Sequence, residues 1–129
     1  MENLEQGIFD NIYKEDTLSF RTDNNSYDYR KIVKFLDFKT NDISKIAGVS
    51  KTSVRYDENI PDSVRERLEQ IANICQLVDN FFRDNKKTSL WFKTLNPMLG
   101  NISPRDMIRL GKYDRLLMFV CSALKKSGN

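Results

Sequence analysis

The side chains best placed to do chemistry in this sequence are cationic and hydroxylated. Lys45, Lys51, Thr52, Ser53 and Arg55 fall within residues 40–56, TNDISKIAGVSKTSVRY. Groups of these types contact phosphate oxygens and base edges when the helix that carries them lies in a major groove. Histidine is absent from all 129 residues. That removes the commonest general base, His-containing metal sites and the Ser-His and Cys-His nucleophile pairs. Cys75 and Cys121 stand 46 positions apart among apolar residues and form no CxxC pair, so neither zinc nor redox chemistry is expected. Both read as small core hydrophobes in a reduced, cytoplasmic setting. No catalytic residue, metal or cofactor is expected, and the chain reads as a non-enzyme.

The element that must position the cations has helix-turn-helix spacing. Thr40 can cap a short helix holding Ile43, Ile46 and Ala47, Gly48 can take the positive φ of a sharp turn, and Ser50 can cap a second helix through Val54. Ile43, Val49 and Val54 then face a shared core, and small Ser44 sits where the two helices approach. Helical hairpins with a glycine turn are also common as plain scaffold in all-α proteins, so the spacing fits both readings.

Around this unit the apolar periodicity is helical throughout. Leu4, Ile8, Phe9 and Ile12 fit a short helix, and the asparagine-rich stretch through Ser26 reads as a linker. A helix from Ser26 to about Phe38 would bury Tyr29, Ile32, Val33 and Leu36, with Ser26 as N-cap. Pro61 opens the longest helix, residues 61–84, whose stripe runs Val64, Leu68, Ile71, Cys75, Val78, Phe82. Thr88 is a possible N-cap for SLWFKT, Ser103-Pro104 with Asp106 makes a compact helix start, Gly111 ends that helix, and a last helix spans about 112–124. No segment alternates with a period of two, so the fold class is all-α. The amino terminus lacks a signal-peptide pattern, and no apolar run approaches the roughly 18 residues of a membrane span.

The net charge of +3 is unevenly spread. Residues 1–26 carry six acids and two bases, 27–56 three and seven, 57–84 seven and three, and 85–129 two and nine. Two basic segments separated by an acidic one suggest two surfaces for polyanions or acidic partners, with plain solubility as the simpler explanation.

Residues 90–111, LWFKTLNPMLGNISPRDMIRLG, combine a tryptophan, an Asn-Pro turn, a Leu-Gly pair, a Ser-Pro helix start and a closing glycine. This run resembles the toxin-binding domain of the Xre/MbcA/ParS-type antitoxins of bacterial type II toxin–antitoxin pairs. The matching features are Trp91, Asn96, Pro97, Leu99, Gly100, Ser103, Pro104 and Gly111. DISKIAGVSKTSVR and RERLEQIANICQLVDNFF stand where that family has its Xre-like helix-turn-helix and following long helix, so the resemblance covers about residues 28–124. Asn101 replaces a second glycine and can still take positive φ. Lys112 and Tyr113 also depart from the family's usual residues.

The resemblance implies a variable segment 1–26, a helix-turn-helix unit 27–60, a connecting helix 61–84 and a toxin-binding domain 85–129. It implies an antitoxin that binds and inhibits a cognate RES-type (NAD-degrading) or ADP-ribosylating toxin, forms a homodimer and represses its own operon by binding operator DNA. Lys45, Lys51, Thr52, Ser53 and Arg55 would then touch DNA. Trp91, Arg105, Arg109, Lys112, Arg115, Lys125 and Lys126 would touch the toxin, while Gly48, Asn96, Pro97, Gly100, Ser103, Pro104 and Gly111 set the shape. The alternative is a stand-alone helix-turn-helix regulator whose C-terminal domain only dimerises.

Overall fold

The structure is a computed structural model that describes residues 15–127. The short helix expected over Leu4 to Ile12 lies outside the described residues. The rest is all-helical: α1 (Tyr29–Phe35), α2 (Thr40–Ala47), α3 (Asp62–Phe82), α4 (Asn85–Lys93), α5 (Pro104–Arg109) and α6 (Tyr113–Ser127). Two single 3-10 turns, Lys51–Ser53 and Pro97–Leu99, interrupt the connections. No strand occurs among the described residues, only the isolated bridges Arg21↔Tyr27 and Asn96↔Ile102. No helix among them is long and apolar enough to cross a membrane.

The long helix α3 organises the packing. Val64, Leu68, Ile71, Ala72, Ile74, Cys75, Leu77 and Val78 are buried along it, which is why the stripe was so wide in the sequence. They meet Ile32 and Leu36 of α1 and its end, Ile43 of α2, Phe92 of α4, Met107 and Ile108 of α5, and Leu116, Leu117, Val120 and Cys121 of α6 in one continuous core. At about 25 cal/mol per Å² of apolar surface removed from water, this shared burial is the dominant favourable term in folding. Burial pushes the Cys75 thiol well up from its ordinary pKa, as expected of an inert core cysteine.

Several helix starts differ from expectation, each for a local reason. Asp28, not Ser26, caps α1 by accepting from the Lys31 amide at 3.2 Å. Ser26 is drawn into the turn before it, where its carbonyl accepts from the Thr22 amide at 2.7 Å. Thr40 is the first residue of α2 and not its cap; the Asp42 carboxylate satisfies the Lys39 amide at 2.8 Å instead. The stretch expected to be a linker is an ordered arm. Leu18 and Phe20 enter the core, and the Arg21↔Tyr27 bridge closes the asparagine-rich turn between them and α1.

One contact between α1 and α3 carries a pH signature. Tyr29 donates its hydroxyl to Glu69 Oε2 at 2.9 Å, and burial followed by that bond pushes its ionisation from 10.0 up to about 12. The folded pKa exceeds the unfolded one, so this contribution is complete below pH 10.0 and disappears as the pH rises toward about 12. In an absorbance titration of phenolate formation, Tyr29→Phe should remove the latest component. An unaltered late component would assign it to another tyrosine.

Candidate functional site

The segment from α4 to α6 is built by short-range devices. Asp84 caps α4 by accepting from the Lys87 amide at 3.1 Å. Thr88 is therefore not the expected cap; it lies inside the helix, buried, and donates to Asp79 Oδ1 of α3 at 2.7 Å. Residues 96–102 form a closed loop. Asn96 accepts from the Met98 amide at 2.9 Å through its side chain, Pro97 starts the 3-10 turn, and the Asn96 amide donates to the Ile102 carbonyl at 3.1 Å. Gly100 at φ 86° and Asn101 at φ 62° turn the chain through the left-handed region. Asparagine tolerates that region best after glycine, so the turn keeps its shape without a second glycine. Ser103 caps α5 by accepting from the Asp106 amide at 3.1 Å, with Pro104 at the first helical position. Gly111 at φ 80° ends it, its amide donating to the Ile108 carbonyl at 3.0 Å and the Lys112 amide to Met107 at 2.8 Å. This pair of bonds is a Schellman ending.

This frame leaves large apolar side chains in water. Leu90 is 66% exposed, Leu95 64%, Met98 78% and Leu110 56%. Leu90 stands two positions before buried Phe92 on α4, hence on the opposite side of the helix. Leu95 and Met98 flank the Asn-Pro turn. Sequence reasoning missed all four because it read the motif for its turn formers and cations. The available signal was apolar residues placed beside a tight turn that gives them nowhere to go. Trp91 is only half-buried and makes an edge contact with Phe92 at 5.1 Å.

The cations expected at this surface divide by environment. Lys112, Arg115, Lys125 and Lys126 are exposed, and Arg109 is partly so, with its Nε 3.2 Å from Asp106 Oδ1. Arg105 is turned inward. Its guanidinium donates from Nη2 to the Asp37 carbonyl at 2.9 Å and from Nε to the Leu36 carbonyl, and it lies 5.0 Å from the Phe38 ring centroid. Arg105, expected to touch the toxin, is held as an internal clamp by two carbonyls just past the end of α1 and stays partly exposed. Lys93 also crosses to this region, pairing with Asp37 Oδ2 at 2.8 Å and holding that carboxyl below its ordinary pKa.

The expected DNA-facing unit is only partly formed. α2 ends as anticipated, with Gly48 at φ 70° donating its amide to the Ser44 carbonyl and Ser44 Oγ donating to the Val49 carbonyl at 2.5 Å. The second helix, expected from Ser50 through Val54, is instead the single turn Lys51–Ser53, after which Val54 is extended. Ser50 does not cap it. Its hydroxyl sits 2.8 Å from Ser53 Oγ and 3.2 Å from Thr52 Oγ1. Hydroxyls that satisfy one another, together with β-branched Thr52 and Val54, weaken helix propagation. Lys45, Lys51 and Thr52 are exposed and Ser53 half-exposed, while Arg55 pairs with Asp57 at 2.8 Å. No group of three acidic, cysteine or histidine side chains that could hold a metal occurs among the described residues. Compared with known proteins, the chain matches no family model, no curated protein and no solved structure.

Proposed function

We propose that the chain is the antitoxin of a type II toxin–antitoxin pair, which inhibits its cognate toxin by direct protein contact through residues 85–129. The exposure of Leu90, Leu95, Met98 and Leu110 within one 3-10-turn and helix framework carries this reading. Isolated surface leucines are ordinary, but four large apolar side chains exposed within 21 residues of sequence fit the anchor positions of an interface. Nine bases against two acids in the same segment suit an acidic partner, such as a cleft that accepts a dinucleotide or an ADP-ribosyl donor. A RES-type or ADP-ribosylating toxin is the partner class this supports. Co-expression tests it: an adjacent gene should be lethal alone and tolerated with this protein, and Leu95→Glu with Met98→Glu should abolish protection while the protein still accumulates. The absence of any lethal neighbour, or full protection by that variant, contradicts the proposal.

Operator binding, with a homodimer supplying two copies of the tip, is the second part of the reading. Exposed Lys45, Lys51 and Thr52 favour it. Phosphate contacts release counterions, so replacing Lys51 and Arg55 by alanine should weaken a gel shift on the upstream DNA and reduce its salt dependence. An unchanged shift removes this tip from the DNA interface. A shift without a toxic neighbour would favour the stand-alone regulator instead.

A further inference from the structure

An open groove of about 340 Å³ lies between α1, the connection into α2 and the chain that follows the Lys51–Ser53 turn. Three of the seven bases in residues 27–56 line it: Arg30, Lys34 and Lys39, all exposed. Buried Phe38 and half-buried Tyr56 supply its aromatic part. We propose that this groove binds single-stranded nucleic acid without reading its sequence, the three cations holding phosphates and the Tyr56 ring stacking on a base.

Charge carries the first step. None of the three cations forms an ion pair among the described residues. The acid in the groove wall, Asp37, is taken by Lys93 at 2.8 Å and so leaves the cations without a counter-charge. Arg30 and Lys34 stand one helical turn apart on the same face of α1, and Lys39 lies past the end of that helix. The positive charge is therefore spread along the groove, which suits a chain of phosphates better than one compact anion.

The aromatic part selects among polyanions. Phe38 is already covered by Arg105, whose guanidinium lies 5.0 Å from its ring centroid, so it forms the floor. Tyr56 is the ring left to meet a ligand. The Arg30 guanidinium lies 5.4 Å from the Tyr56 centroid, and a planar cation beside an aromatic ring makes a platform on which a base can stack. Every base has a π-face, so such stacking tolerates any sequence. A duplex keeps its bases stacked inside the helix, and an acidic peptide brings carboxylates but no planar base; neither would use Tyr56.

The inference is independent of the antitoxin and operator readings, whose DNA contacts lie at the tip and not in this groove. Fluorescence anisotropy of a fluorescein-labelled oligothymidylate of about 12 nucleotides, titrated with the full-length protein, tests it. Log affinity should fall against log salt with a slope of about −2, as three phosphate contacts to a single strand require. Arg30→Gln with Lys34→Gln and Lys39→Gln should flatten that slope and weaken binding by about tenfold or more at low salt. Tyr56→Leu, which keeps apolar bulk against the core, should weaken binding by about tenfold with the slope unchanged, and Tyr56→Phe should bind like the parent. Circular dichroism checks that each variant is folded. Lys45→Ala with Lys51→Ala should leave single-strand affinity as it was. No anisotropy change at low salt would overturn the proposal, as would a matched duplex bound as tightly as the single strand. Polyglutamate that displaces the probe as well as unlabelled oligothymidylate does, or a Tyr56→Leu affinity equal to the parent's, would overturn it too, because charge alone would then explain the binding. Loss of single-strand binding in the Lys45/Lys51 variant would move the site to the tip.

Discussion

Replacing Arg105 by alanine should lower the unfolding free energy by about 2–4 kcal/mol, given that hydrogen bonds from a charged donor contribute about 1.5–3 kcal/mol each and overlap in part. The guanidinium is largely shielded and serves three places at once. It donates to the Leu36 and Asp37 carbonyls, lies against Phe38, and stands 3.9 Å from Asp42 at the start of α2. Alanine leaves both carbonyls seeking water beneath the edge of α5 and exposes the Phe38 ring. Lysine should recover little, since a single ammonium cannot span two carbonyls as the planar fork does. Urea unfolding of the three proteins, followed by circular dichroism, provides the comparison. A midpoint for Arg105→Ala equal to that of the parent would show that water satisfies the two carbonyls equally well.

The second large effect is expected at Asp79. This carboxylate is fully buried on α3, and no cation among the described residues pairs with it. Dipoles solvate it instead. Thr88 donates at 2.7 Å, Thr17 donates from the arm, and the Asn85 amide, with its nitrogen turned toward Asp79, reaches the two oxygens at 3.2 and 2.9 Å. A buried carboxylate is tolerable only when its lone pairs are met in this way. Asp79→Ala removes the acceptor shared by the arm, α3 and α4, leaves a void, and should cost about 3 kcal/mol, in the range for a broken buried polar network. Asp79→Asn keeps one acceptor oxygen but turns a donor toward hydroxyls that must then rotate, so its loss should be smaller. If alanine is tolerated as well as asparagine, relief of carboxylate desolvation outweighs the lost bonds.

These two residues also show where the sequence is and is not readable. The Gly48 turn, the Asn96–Asn101 loop, the Ser103-Pro104 start and the Gly111 ending are all visible in it, because each is closed by partners within about six residues. The inward contacts of Arg105 and the role of Thr88 are not legible there for the opposite reason. A cation on a short helix is assigned to solvent unless its partners are known, and here they lie 68 and 69 residues earlier. A threonine before SLWFKT looks like a cap until Asp79, nine residues back and one helix away, claims its hydroxyl. The second helix of the helix-turn-helix is overestimated because apolar spacing at Val49 and Val54 is compatible with a helix, while the hydroxyls of Ser50, Thr52 and Ser53 favour one another. Leu18 and Phe20 are hidden by their polar neighbours: an asparagine-rich turn has the composition of a linker whether or not it is closed by a bridge.

The loop 96–102 has a consequence for how this protein can change. Its closure depends on the Asn96 side chain, two residues at positive φ and backbone bonds, and none of these involves the Met98 side chain or its neighbour Leu95. Those two positions can therefore be exchanged for residues of other size and charge with little effect on folding. If the proposed interface is the one used, its specificity can drift one side chain at a time in a lineage that never passes through an unfolded intermediate sequence.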